Sequence, residues 1–144
     1  MKVEAILEGK GERVVTVTPH TSIRVAIGRM MREHIGAVAV SQDDRTALGI
    51  LSERDVVRGL AVHGDAVFDL AAEDLMARAM ATCARGESLQ DVMVKMTKTR
   101  MRYLLVVENG RLCGIVSIGD VVKSRLQEVK REANVLRDAY LAIH

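Results

Sequence analysis

The nonamer GILSERDVV (49–57) returns 65 residues later as GIVSIGDVV (114–122), with six of nine positions identical. No other feature constrains the fold as strongly. A duplicated supersecondary unit that cannot bury its apolar face alone must pack on its own copy. Upstream, Ser22-Ile23 aligns with Ser88-Leu89 and Met30 with Met96, both at an offset of 66. AVAV (37–40) then aligns with LLVV (104–107) at 67. A loop two residues longer in the first copy, SQDDRTAL against ENGRLC, resets the offset. The chain is a tandem duplication of about sixty residues, expected to form a pseudo-twofold pair packed face to face.

Each copy reads β-α-β-β-α. RVVTV (13–17) is short and β-branched, hence a strand. Thr21 or Ser22 is placed to cap a helix that carries Ile23, Ile27, Met30 and Met31 at helical spacing. GAVAV (36–40) is a continuous apolar run, as expected of a strand covered on both faces. ALGIL (47–51) is a third strand, and SERDVVRGLAVHG is a helix ended at Gly64. The second copy gives AMATC, SLQDVMVKMTK, RYLLVV, RLCGIVS and a final helix. Repeat one spans about 5–64, a partly helical linker about 64–76, and repeat two about 77–125, so that 1–125 forms one paired module. The fold class is α/β (α+β), with an aliphatic core, because only Phe68, Tyr103 and Tyr140 are aromatic.

The last helix does not stop with the repeat. Over 118–144 there is no Pro, and Gly119 is the only Gly. Val122, Leu126, Val129, Ala133, Leu136, Tyr140 and Ile143 follow alternating steps of four and three, which is a heptad seam. Such a tail either packs on its own domain or pairs between subunits, and its length favours pairing.

The Ser-x-x-Asp inside each nonamer has two readings. As a capping box, Ser52 and Ser117 accept from the amide three residues on, while Asp55 and Asp120 reach back; this is worth about 0.5–2 kcal/mol. As a ligand site, the helix N-terminus offers partial positive charge and free amides, and a carboxylate there can accept from both hydroxyls of a ribose. The readings are compatible, because a carboxylate has several lone pairs.

Strand, G-h-h-S-x-x-D-h-h (h apolar), helix, twice in register and each preceded by an apolar strand, resembles the cystathionine-β-synthase (CBS) domain pair, and most of all small stand-alone bacterial members. The resemblance covers about 5–125. It implies two stacked repeats with clefts between them that take AMP, ADP, ATP, NAD(H) or S-adenosylmethionine as regulatory ligands. It further implies that Asp55 and Asp120, supported by Ser52 and Ser117, hold ribose hydroxyls. The base would lie in an aliphatic slot of Val15, Thr16, Ile35, Gly36, Ala37, Ala81, Thr82, Tyr103 and Leu104. Because family pockets draw on both repeats, Asp120 is paired with segments 13–17 and 34–38, and Asp55 with 79–83 and 101–105. Phosphate candidates are Arg102, Arg54, His34, Arg13 and Lys10. The sequence departs from the family where Val38 and Leu105 replace a frequent Pro, and where Met76-Ala77 replaces a Met-Thr pair. Glu53-Arg54 against Ile118-Gly119 predicts two unequal sites.

Several classes are excluded. There is no phosphate-binding Gly-rich loop, no nucleophile context and no metal spacing among His20, His34, His63, His144, Cys83 and Cys113, so the chain is read as a non-enzyme needing no cofactor. A net charge of +2 with interleaved signs disfavours nucleic acid. No leader or membrane-length apolar run is visible, and the two thiols are expected reduced, so a cytoplasmic protein is expected. The leading expectation is a nucleotide-sensing module, homodimeric through the paired repeats and the C-terminal helix, acting on an unknown protein target. The alternative is a dimerisation module whose motifs are only caps.

Overall fold

The computed structural model describes residues 1–11, 14–78 and 81–143. Its elements run α1 (Val3–Lys10), β1 (Thr16–Val17), α2 (Ile23–Glu33), β2 (Ala37–Ser41), β3 (Ala47–Ser52) and α3 (Glu53–His63). A 3₁₀ turn (Gly64–Asp69), α4 (Ala72–Leu75) and β4 (Ala77–Arg78) form the linker. Then come β5 (Thr82–Cys83), α5 (Leu89–Thr99), β6 (Tyr103–Glu108), β7 (Arg111–Ser117) and α6 (Ile118–Ile143). The β-α-β-β-α order thus occurs twice. In each half the first two strands are parallel, joined across a helix, and the third is antiparallel.

The equivalent helices α2 and α5 start and stop by the same local chemistry. Ser22 and Ser88 accept from the amides of Val25 (3.2 Å) and Asp91 (3.1 Å). Both helices end on a left-handed residue, His34 (φ 54°) and Arg100 (φ 57°). The buried face of α2 is Ile23, Ala26 and Met30; Met31, expected there, points outward at 71% exposure because Ala26 takes its place on the stripe.

The two sheets lie face to face. Ala37, Ala39 and Ile50 of the first meet Leu105 of the second, joined by Tyr103 and Ile115. The outer faces are covered by helices over two separate cores, one around Ile23, Met30, Val38, Val40 and Leu51, the other around Leu89, Met96, Leu104, Val106 and Val116. All five residues of β2 are buried, as its continuous apolar run requires.

The ladders correct the repeat alignment. Thr16 pairs with Ala39 and Thr82 with Leu105; Ala37 lies opposite Ser52 and Tyr103 opposite Ser117. AVAV therefore matches YLLV (103–106) at an offset of 66, not LLVV at 67. A one-residue slip would turn every side chain to the opposite face. The shared register keeps Ala37 and Tyr103 between the sheets and Val38 and Leu104 in the outer cores.

The first strand of each half is shorter than expected. Only Thr16–Val17 and Thr82–Cys83 find ladder partners, so Val14 and Val15 lie outside the strand; Arg13, Ala79 and Met80 fall outside the described residues. Helix α1, with no counterpart in the expected order, supplies Val3, Ile6 and Leu7 to the core of the second half. The linker does the reverse: Val67 and Ala72 enter the core of the first half, and β4 pairs with β3. The exchange obeys the pseudo-symmetry. The Val3 amide donates to Glu87 O (3.0 Å), and the Ala72 amide donates to Thr21 O (2.8 Å).

Helix α6 runs 26 residues, and every described residue from Val129 onward is exposed. The tail does not pack on its own domain. Cys83 is buried, which pushes its thiol up to about 12, while Cys113 is a half-buried free thiol. Among the described residues no helix is long and apolar enough to cross a membrane.

Candidate functional site

Both nonamers place a strand end, a Ser and a helix start in the same way. The carboxylate of Asp120 accepts from the Ser117 amide (2.9 Å), and Ser117 Oγ accepts from the Asp120 amide (3.0 Å). In the first copy the reciprocal bonds are 2.8 Å and 3.3 Å, and Ser52 Oγ also donates to the same Asp55 oxygen (2.9 Å). Both capping boxes are complete. Each Asp also faces a cleft between the halves.

The first cleft, about 450 Å³, joins Asp120 and Ser117 to residues of the opposite half: Val14, Val15, and the run from Glu33 to Ala37. Its walls are mixed. Val14, Val15, Ile35, Ala37 and Ile115 give an aliphatic side, and Lys10, His34, Glu33 and Asp120 give a polar one. That volume lies within the range of about 300–1,000 Å³ usual for small-molecule sites. The second cleft, about 110 Å³, joins Asp55, Ser52 and Arg54 to Arg100, Met101, Arg102 and Tyr103. Its size is well below that range.

Of the residues singled out from sequence, the structure brings Asp120, Ser117, Val15, Ile35, Gly36, Ala37, His34, Lys10 and Tyr103 to the first cleft, and Asp55, Ser52, Arg54, Arg102 and Tyr103 to the second. Four of the proposed base-lining residues do not reach their clefts. Leu104 is fully buried, facing the outer core because strand side chains alternate. Thr16 gives its hydroxyl to Asp44. Ala81 and Thr82 line neither cleft, although Val15, the counterpart of Ala81, lines the first. Arg13 lies outside the described residues. Ala77, where the family has a hydroxyl, lines the second cleft.

The two carboxylates differ in their partners. Lys10, the last residue of α1, donates from Nζ to Asp120 Oδ2 (2.8 Å) and to Ile115 O (3.2 Å). The same Oδ2 takes the Ser117 amide, and no hydrogen bond among the described residues reaches Oδ1. Burial works to raise the Asp120 carboxyl, but the Lys10 ammonium and the Ser117 amide together hold it below the usual carboxylate range. Asp55 instead has Oδ1 facing Arg58 Nη1 at 3.7 Å.

Sequence reasoning placed Tyr103 in the adenine slot but missed its reach into both clefts. Its side chain rises between the sheets and lines both of them. A Cβ on Gly36 would collide with its phenol oxygen, so Gly36 is fixed by this close approach. Burial, with the Glu53 charge, raises the Tyr103 hydroxyl, which stays protonated at neutral pH as a donor. Among the described residues no group of His, Cys, Asp and Glu is placed to hold a metal.

Comparison with known proteins places this geometry. The CBS-domain family model matches residues 11–62 and 72–127. The CBS-domain protein ATU1752 of Agrobacterium tumefaciens is 42% identical, superposes with a TM-score of 0.82, and is matched over 87% of this chain and 99% of its own. The CBS pair of MJ0100, solved with 5′-methylthioadenosine and S-adenosylmethionine, is 25% identical with a TM-score of 0.75, over 88% of this chain and 98% of its own. The uncharacterized protein MJ1225 of Methanocaldococcus jannaschii is 30% identical over 83% of this chain. This chain spans 42% of that protein and 57% of a relative from Methanopyrus kandleri, about half the length of these curated proteins.

Proposed function

The chain belongs to the CBS-domain family, and on that premise we propose that it is a non-catalytic regulatory module that binds an adenosine-containing ligand in its first cleft. The observation that carries this reading is Asp120. It is a carboxylate at a helix start with one oxygen held by the Ser117 amide and Lys10 and the other reached by no hydrogen bond among the described residues, in a cleft of about 450 Å³. Oδ1 would accept from the ribose hydroxyls, with Ser117 beside it. Val15, Ile35 and Ala37 would enclose the base. Lys10 and His34 would meet the phosphate of AMP, ADP, ATP or NAD(H). The solved MJ0100 pair, with its two adenosyl ligands, supports the ligand class and keeps S-adenosylmethionine on the list.

Such a ligand would touch both halves at once, so it would favour the arrangement in which Asp120 and the 34–37 run stand at the right separation. That differential affinity is what a switch requires. The output would pass to a protein partner or to the oligomeric state of a cytoplasmic protein. Calorimetric titration with AMP, ATP, NADH and S-adenosylmethionine tests the reading. Saturable binding of at least one at one per chain supports it, and no binding by any adenosyl compound refutes it.

Homodimerisation belongs to the same proposal. Leu126, Leu136, Tyr140 and Ile143 are 60–80% exposed along one seam of α6. Pairing two copies in parallel sets Glu132 of one helix near Arg137 of the other, whereas antiparallel pairing brings Lys123, Lys130 and Arg137 together. Light scattering should give a dimer mass for the native chain and a monomer mass for Leu136→Asp. An unchanged mass refutes pairing through this seam.

A further inference from the structure

We propose that the second cleft binds a small phosphate-type oxyanion, with inorganic diphosphate as its simplest occupant, and excludes nucleosides. The proposal holds whatever fills the first cleft.

Size is the first argument. The clefts are related by the pseudo-twofold, and the ladder register equates Ala37 with Tyr103, each opposite a nonamer Ser. Tyr103 lines both clefts, but only in the second does its ring stand at the position that the Ala37 methyl holds in the first. The remaining space is about 110 Å³ against about 450 Å³.

Charge is the second. The left-handed helix ends equate His34 with Arg100, so Gly36 corresponds to Arg102. The nonamers equate Gly119 with Arg54, and Lys123 with Arg58. Arg54, Arg58, Arg100 and Arg102 all line the second cleft, and Asp55 is the only acid in its lining. Two further acids, Glu53 and Asp120, act on Tyr103 at its edge. Among the described residues Arg54, Arg100 and Arg102 have no side-chain hydrogen bond or ion pair, and Arg58 meets only Asp55, at 3.7 Å. Four arginines, two on α3 and two between α5 and β6, thus line one hollow of about 110 Å³.

Guanidinium forks match phosphate oxygens bidentately, and a cleft of one sign focuses its field on the counter-ion. The N-terminus of α3, eleven residues long, adds partial positive charge from the same side. Asp55 Oδ2 is taken up by Ser52 N and Oγ, and its Oδ1 faces Arg58 at 3.7 Å, so its charge is shared between the cap and one guanidinium.

The test uses the full chain and sodium diphosphate as the probe, by titration calorimetry at low and at moderate salt. One diphosphate per chain is expected, weakened by added salt. Arg100→Gln with Arg102→Gln should lower its affinity about tenfold or more, with AMP binding at the first cleft unchanged. All four arginines are exposed, so the fold should persist; if that variant fails to fold, Arg54→Gln with Arg58→Gln removes charge from the α3 side instead. No saturable diphosphate binding overturns the proposal. So does binding that survives both double variants; its loss with Lys10→Met would then place the anion in the first cleft. In an Asp120→Asn chain, ATP displacing diphosphate identifies a nucleotide's phosphate tail as a source, and ATP without effect identifies the free anion; both support the site.

Discussion

Asp120→Asn and Asp55→Asn form a matched pair that separates capping from binding. Both substitutions keep an oxygen able to accept the Ser amide at the helix start, and both remove the charge. At each site the loss of charge near the positive end of a helix costs about 0.3–1 kcal/mol. Asp120 also loses its ion pair with Lys10, 2.8 Å apart with side chains 43% and 25% exposed, worth about 0.2–1 kcal/mol at such a surface. Each variant should therefore lose about 1 kcal/mol of stability, or about 4 °C in melting temperature. Ligand affinity should diverge. A charged acceptor gains about 1.5–3 kcal/mol per hydrogen bond, and an amide oxygen in place of Asp120 can serve at most part of a ribose diol. A loss of about 2 kcal/mol, roughly 30-fold in Kd, is expected for Asp120→Asn and none for Asp55→Asn. Urea unfolding and calorimetric titration of the same preparations measure both quantities. Equal loss of adenosyl-ligand affinity in the two variants, or none in either, would refute the assignment of the ribose to Asp120.

Lys10→Met should act in opposite directions on two ligands: adenosine, whose ribose then meets at Oδ1 a carboxylate no longer partly neutralised through Oδ2, should bind up to about fivefold tighter, and AMP weaker by a similar factor. Competition titrations in which both shift the same way would contradict the dual role of Lys10. The depressed Asp120 carboxyl adds stability above its unfolded value of about 3.9 and loses it as pH falls through its lower folded value. The stability gap between native and Asp120→Asn protein should therefore close below about pH 4, and a gap that stays constant into acid in urea titrations would exclude this linkage. Gly49→Ala should destabilise by about 1–3 kcal/mol, because its Cβ would stand 2.5 Å from the Ala77 carbonyl oxygen and 2.9 Å from Met76 Sδ; an unshifted urea midpoint would contradict the close packing of β3 on the linker.

The repeat, its strand and helix order and both Ser-x-x-Asp caps are legible in the sequence, because each rests on local chemistry. A Ser three residues before an Asp at a strand end needs no tertiary information. The run 34–37 facing Asp120 was also readable, as an expectation carried by the family. What could not be read depended on partners distant in the chain. AVAV shares one letter with LLVV and one with YLLV, and only the pairing of Thr82 with Leu105 shows that Tyr103 answers Ala37. That single residue of register sends Leu104 into the core and Tyr103 between the clefts. Lys10 reads from the sequence as a phosphate candidate, but nothing local announces that α1 ends against Asp120. The arginines around Asp55 are scattered over 54–102 and become a cluster only when the sheets stack.

The exchanged closing helices set an order of events in time. Val3, Ile6 and Leu7 emerge first during synthesis, yet their partners lie between Cys83 and Val121. The first half cannot complete its own core until Val67 and Ala72 have been made. Each repeat thus completes its core with a segment that lies outside it, and α1 finds its packing partners only in the second half. Closure across so long a stretch of chain is slow by the usual dependence on contact distance. Because Lys10 rides on that same helix, the carboxylate of Asp120 acquires its ammonium partner only at the final docking step, so the first cleft takes shape last.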